Sequence, residues 1–221
     1  MAVRPSPSRR DVLADGVKAG GVACVAALAL AAHVEEAQQA KAASAIRPPG
    51  ALKEPEFLAA CVRCGLCVNA CPYDTLRLAE WAEDAPLGTP YFIAREIPCH
   101  MCPDVPCAKA CPTGALDRNI AGIRQADMGV AVLVGHETCL NYKGMTCSIC
   151  HRVCPIRNEA ITLEAQVIRG RKMLIPVVHS DRCTGCGMCE KHCVIGHAAI
   201  RVLPRALGLG GGGRNPAGRA S

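Results

Sequence analysis

Sixteen of the seventeen cysteines in this 221-residue chain fall into four groups of four, and every group closes with the same C-x3-C step. The first is Cys61-x2-Cys64-x2-Cys67-x3-Cys71-Pro72. The fourth, Cys183-x2-Cys186-x2-Cys189-x3-Cys193, repeats it with Val194 where the proline would stand. The second, Cys99-x2-Cys102-x4-Cys107-x3-Cys111-Pro112, lengthens the middle gap, and the third, Cys139-x7-Cys147-x2-Cys150-x3-Cys154-Pro155, lengthens the first. A chain with this spacing folds around whatever the cysteines hold, because two Phe, three Tyr and one Trp cannot fill its core.

The spacing selects the chemistry. Three cysteines on one short irregular turn point inward together and can meet three irons of one [4Fe–4S] cube. The fourth follows a turn that proline fixes, points away, and in two-cluster ferredoxins ligates the other cluster of the pair. Four groups therefore imply four [4Fe–4S] clusters in two pairs, with all sixteen cysteines as iron ligands. The expected fold is α+β: two ferredoxin-like lobes, each enclosing a pair of clusters, with little regular secondary structure. Weak strands are expected at Tyr91–Ala94, Val130–Val134, Met173–Val178 and Ala199–Leu203. Because the regular groups lie first and last, the expected pairing is first with fourth and second with third. Cys61, Cys64 and Cys67 would then share a cluster with Cys193, and Cys183, Cys186 and Cys189 with Cys71. Cys99, Cys102 and Cys107 would take Cys154, and Cys139, Cys147 and Cys150 would take Cys111.

Disulfide frameworks do not repeat this pattern, and zinc sites present two separated C-x2-C knuckles with no use for a third cysteine in each turn. Cys147-Ser148-Ile149-Cys150-His151 spells the c-type haem motif C-x-x-C-H, but haem attachment there would orphan Cys139 and Cys154. His151 is thus expected to be a solvated neighbour of the loop. His100 and His192 adjoin cysteines and are candidates for tuning a cluster through sulfur. The residues contain no nucleophile–base pair and no phosphate loop, so the chain reads as an electron carrier and not an enzyme.

Side chains carry a net charge of +6. Each oxidised cluster with four thiolates carries about −2, so roughly eight negative charges would offset that excess. The basic residues are scattered and lack interleaved aromatics, which excludes a nucleic-acid surface.

Ser8-Arg9-Arg10-Asp11-Val12-Leu13 fits the twin-arginine export pattern, with Arg9 and Arg10 as the signal. A weakly apolar run, Ala19 to Ala32, follows; it falls short of the ~20 residues that span a membrane. Ala43-Ser44-Ala45 is an A-x-A cleavage site. The expected organisation is a signal peptide over 1–45, a four-group polyferredoxin domain over 46–205 and a disordered Gly-rich tail over 206–221, with no transmembrane span in the mature chain. Cys24 is expected to be a buried small residue of the signal. Twin-arginine export carries folded proteins, which suits a chain loaded with clusters in the cytoplasm.

The residues resemble the MauM/NapG family of ferredoxin-type proteins along almost the whole mature chain. The likeness runs through Arg47-Pro48-Pro49-Gly50-Ala51, Ala70-Cys71-Pro72-Tyr73-Asp74-Thr75-Leu76, Gly88-Thr89-Pro90-Tyr91-Phe92, Gly114-Ala115-Leu116-Asp117-Arg118 and His179-Ser180-Asp181. The x7 gap of the third group and the missing proline after Cys193 also look like this family. The resemblance implies a periplasmic relay, peripheral to the inner membrane, that takes electrons from a quinol-oxidising NapH-type membrane partner toward periplasmic nitrate reductase. It leaves two alternatives: a MauM-like role in methylamine utilisation, and a subunit bound permanently to a molybdenum enzyme.

Export is expected to depend on the paired guanidinium groups. The double change Arg9→Lys, Arg10→Lys should leave a cluster-loaded precursor in the cytoplasmic fraction, and normal periplasmic levels would point to the general secretion route.

Overall fold

The computed structural model describes residues 9–168 and 170–210. They divide into two compact units, residues 1–40 and residues 41–221. The first is carried by α1 (Arg9–Ser44), an alanine-rich helix whose composition favours helix without packing. Its Val22, Val25, Leu28 and Leu30 are exposed. Cys24 is exposed as well, where burial was expected, because it lies on the same uncovered surface. No described helix is long and apolar enough to cross a membrane. Of the export motif, Ser8 lies outside the described residues.

The second unit takes in the A-x-A segment. Ser44 Oγ donates to Asp84 O, and Ala45 is buried with Ala79, Ala85 and Tyr91. Arg47, almost fully buried, pairs with Glu54 on α2 (Glu54–Ala60), lies over the Phe57 ring and donates to Thr89 Oγ1.

Two halves of this unit follow one plan. In each, a segment ahead of the first cysteine group pairs antiparallel with a segment behind the second, and a hairpin lies between the groups. In the second half the outer pair is β3 (Val130–Leu133) with β6 (Ile200–Leu203), and the hairpin is β4 (Ile161–Ile168) with β5 (Arg171–Val178). In the first half the outer pair shrinks to one bridge, Ala51 to Leu116, and the hairpin to β1 (Arg77–Leu78) with β2 (Pro90–Tyr91). The loops leave little room for longer strands, since they are rich in Cys, Gly and Pro. Pro176 is tolerated inside β5 because a two-stranded ribbon has an open edge on which its missing N–H costs nothing.

The expected strands at Val130–Val134, Met173–Val178 and Ala199–Leu203 appear within a residue or two at their ends, and Tyr91–Ala94 keeps only Tyr91. β4 was not foreseen, although Ile161-Thr162-Leu163-Glu164 alternates in the period of a strand. The tail begins as a short helix, α7 (Arg205–Gly210), rather than as coil, because Arg205 bonds to Asp127 and to the carbonyls of Ser180 and Cys183. The tail from 211 lies outside the described residues.

One apolar core runs through both halves, built on Phe57, Phe92, Leu116 and Ile200, with other aliphatic side chains, methionines, alanines and cysteines filling the rest. The halves meet backbone to backbone where Cys99 N donates to Cys186 O at 2.8 Å, and the segment that leads from one half to the other lies alongside, with Met128 N donating to Thr184 O at 3.0 Å. Gly185, at φ +74°, sits in this seam, where an added Cβ would stand 2.5 Å from Gly129 N and 2.7 Å from Gly129 O. Gly114 has a similar φ of +77° with open space around it. Gly185→Ala should therefore cost more than the backbone penalty of about 1–2 kcal/mol that Gly114→Ala incurs. Thermal unfolding of the two variants, followed by loss of visible absorbance, checks the difference; equal midpoints would show that the seam yields freely.

Candidate metal centres

The cysteine groups repeat in backbone as well as in spacing. In three of them a left-handed residue, Gly65, Val105 or Gly187, opens a four-residue helix: α3 (Leu66–Asn69), α4 (Pro106–Lys109) and α6 (Met188–Lys191). In the third group Ser148 opens α5 (Ile149–Arg152) instead. The third cysteine of each group, Cys67, Cys107, Cys150 or Cys189, is the second residue of its helix. The fourth cysteine then donates its N–H to the carbonyl three residues back: Cys71 to Val68, Cys111 to Ala108, Cys154 to His151 and Cys193 to Glu190, at 3.1–3.3 Å. This tight last turn ends the helix and swings the fourth side chain away from its own loop.

The lengthened gap of the third group is a closed turn. Cys139 N bonds to Gly135 O, and buried Asn141 accepts the N–H of Cys147 at 2.7 Å, so the seven intervening residues return the chain to its starting point. Nothing in the cysteine spacing pointed to Asn141.

The fourth cysteines cross between neighbouring groups. Cys61, Cys64 and Cys67 line one cavity with Cys111, and Cys99, Cys102 and Cys107 line the next with Cys71. Cys183, Cys186 and Cys189 line a third with Cys154. Cys139, Cys147 and Cys193 surround Cys150 closely enough to raise its thiol pKa. The expected pairing of first with fourth and second with third is thus corrected to first with second and third with fourth. The reason is chain geometry: the hairpins β1–β2 and β4–β5 fold consecutive groups back on each other, so that α3 packs on α4 and α5 on α6. Regular spacing shapes a loop and says nothing about its partner.

Burial, helped by neighbouring sulfurs, pushes the Cys67 thiol up to about 11 and those of Cys99, Cys107, Cys150 and Cys186 to about 12, and it also raises that of Cys189 well above its ordinary value. Such thiols keep their protons until a cation is bound, so thiolate formation and iron binding are one event. At Cys111 burial also acts upward, but the N–H of Leu116, the Thr113 hydroxyl and the backbone N–H groups of Thr113 and Gly114 outweigh it and hold the thiol below its ordinary value. Ala131 N donates to Cys183 Sγ at 3.4 Å.

The cavities test what can be bound. Three of them lie between apolar walls, each with four sulfurs. Among the described residues no three His, Cys, Asp or Glu converge on a single ion. Tetrahedral zinc would need that convergence, with sulfurs about 2.3 Å from the metal, whereas a cubane needs its four sulfurs apart at the corners. The residues fit a [4Fe–4S] cluster.

The sets also form a sequence in space. The crossing of Cys71 and Cys111 joins the first set to the second, the bond from Cys99 N to Cys186 O joins the second to the third, and the fourth cysteines of the last two groups join the third to the fourth. In this order the cavity of Cys61 stands at one end and the set of Cys139 at the other.

His100 stacks on Tyr73 at 4.0 Å, and both line the cavity of Cys71. His192 is exposed, its Nδ1 lying 3.0 Å from Met188 O. His151 is partly buried, where a solvated ring was expected, with Nε2 2.8 Å from Asn158 Oδ1. Cys150 stands among the cysteines of its set, an arrangement that leaves haem no free pair.

Comparison with known proteins agrees with this architecture. The 4Fe-4S dicluster domain family matches residues 60–115 and 144–196, stretches that take in the first two groups and, from Cys147 on, the last two. The methylamine utilization ferredoxin-type protein MauM of Methylorubrum extorquens is 77% identical over 220 residues, all of both chains. The MauM protein of Paracoccus denitrificans is 69% identical over 99% of this chain and 97% of its own. The ferredoxin-type protein NapG of Escherichia coli is 52% identical over 95% of this chain and 91% of its own. No solved structure matches the chain.

Crossed ligation predicts which mutations coincide. Cys71→Ser should cost one cluster of four, lowering iron from about sixteen to about twelve per chain. Adding Cys102→Ser should cost nothing further, while adding Cys64→Ser or Cys186→Ser should cost a second cluster. Iron and acid-labile sulfide analysis of the three double variants reads this directly, and a single-cluster loss in Cys71→Ser, Cys64→Ser would mean that each group is self-contained.

Proposed function

Because the chain belongs to the MauM/NapG family of ferredoxin-type proteins, we propose that it is a periplasmic relay, with four [4Fe–4S] clusters in two lobes, that passes electrons in methylamine utilisation. The observation that carries the reading is the succession of four cysteine sets, each joined to the next by a crossing cysteine or by the bond from Cys99 N to Cys186 O. When bound, each cluster accepts and returns one electron. The chain's own part is to hold and space. Apolar walls exclude water, amide donors from Leu116 and Ala131 bear on sulfur at Cys111 and Cys183, and the bond from Cys99 N to Cys186 O joins the second set to the third. At one end of the line Cys64 is exposed, which offers a partner a short path to the first set.

The sixteen cysteines act as ligands in this reading, and the paired arginines at 9 and 10 send the loaded protein across the membrane. Methylamine is favoured because relatives carrying that name are 58–77% identical. The 52% likeness to NapG supports a second reading, in which electrons from a NapH-type quinol oxidase reach periplasmic nitrate reductase.

Deletion of the chain separates these routes. Growth on methylamine should fail, while nitrate reduction driven by quinol and by an artificial dye donor stays at the parental rate. Loss of the quinol-driven rate alone, with growth on methylamine intact, would transfer the assignment to nitrate; loss of the dye-driven rate as well would make the chain part of the reductase.

A further inference from the structure

The departure of the fourth group from the common pattern, Val194 in place of proline, has a counterpart in space. The carbonyl of each fourth cysteine is held. Asp74 N donates to Cys71 O, Arg157 N to Cys154 O and Arg118 Nε to Cys111 O, all within seven residues of the cysteine and all after a Cys-Pro step. The carbonyl of Cys193 is held from 98 residues away, by Arg95 Nη1 at 2.9 Å.

That guanidinium does more than close one bond. Nη1 also reaches the carbonyls of Glu190 and, at 3.1 Å, Lys191, while Nη2 takes Ile195 O at 2.9 Å and Gly196 O at 3.4 Å. These are the carbonyls at and beyond the end of α6, where a helix runs out of N–H donors of its own; that of Glu190 also accepts the N–H of Cys193. The neighbouring chain is fastened too, since Lys191 Nζ donates to Glu96 O at 2.6 Å and Gly187 packs against Ala94. Only a planar fork with donors on both arms spans carbonyls from Lys191 to Gly196; an ammonium on a flexible stem supplies the charge without the span.

We propose that Arg95 is the positioning residue for Cys193: it fixes the loop that proline fixes in the other three groups, and so holds the Cys193 sulfur on the Cys139, Cys147 and Cys150 set. The inference rests on the cluster reading above. It makes that set the one whose ligation depends on the far half of the chain.

The test uses Arg95→Lys, which retains the charge, in the full cluster-loaded protein, with wild-type iron of about sixteen per chain as the check on the cluster reading itself. Challenged with a chelator, the variant should lose one quarter of its iron about ten- to hundredfold faster than wild type, with the other three quarters unchanged. Cys193→Ser added to Arg95→Lys should remove no further cluster. Val194→Pro added to Arg95→Lys should restore wild-type retention, because proline sets the backbone at 194 and restrains Cys193 before it; Val194 is exposed, so the change sacrifices no packing. Electron paramagnetic resonance of the reduced variants identifies the affected signal as the one that Cys193→Ser removes. Wild-type retention in Arg95→Lys, loss spread over all four clusters, or failure of Val194→Pro to restore retention would each overturn the proposal.

Discussion

The exchange of the fourth cysteine between consecutive groups is the constraint on which the rest of this fold depends. No group can complete its own set, so each loop is held at its end by a neighbour, and two loops become a unit only when both are folded. The hairpin between them needs to be no longer than the return requires, which is why two residues per strand suffice at β1 and β2. The outer strands need only close the frame, and in the first half one bridge does so. A chain so poor in aromatics can afford such thin sheets because binding at its buried sulfurs is itself folding free energy.

The electrostatics point the same way. Sulfurs gathered in apolar cavities raise one another's pKa, and desolvation raises them further, so the binding loops are unfavourable places for thiolates until iron supplies positive charge. Backbone N–H groups bear on selected sulfurs, at Cys111 and Cys183. The basic side chains answer at the periphery: Arg95, Arg118 and Arg205 each grasp the carbonyl of a cysteine rather than a carboxylate alone. The +6 of the side chains is then no surplus for an anionic partner. Part of it is structural, set against thiolates that carry the opposite sign.

Much of this was legible along the chain because C-x2-C-x2-C-x3-C is a local shape. A cysteine in second place of each short helix, a tight last turn and, in three of the four groups, a left-handed residue before the helix all arise within a dozen residues, so the cofactor class follows from spacing. Strands β3, β5 and β6 were legible from their β-branched runs, and β4 carried an alternation that went unread. Asn141 and Arg95 were not legible. One lies inside a gap of irregular length and the other acts on a loop 98 residues away, so neither leaves a pattern in neighbouring residues.

What the sequence by itself determined is therefore the kind of centre and the outward turn of every fourth cysteine, since these depend on backbone within one loop. Which loop receives that cysteine was decided only by tertiary structure. The two antiparallel hairpins bring consecutive groups together, and the seam of Cys99 against Cys186 sets the pairs in line. Spacing is a short-range property, whereas partnership is settled by how far the intervening chain can travel before it must return.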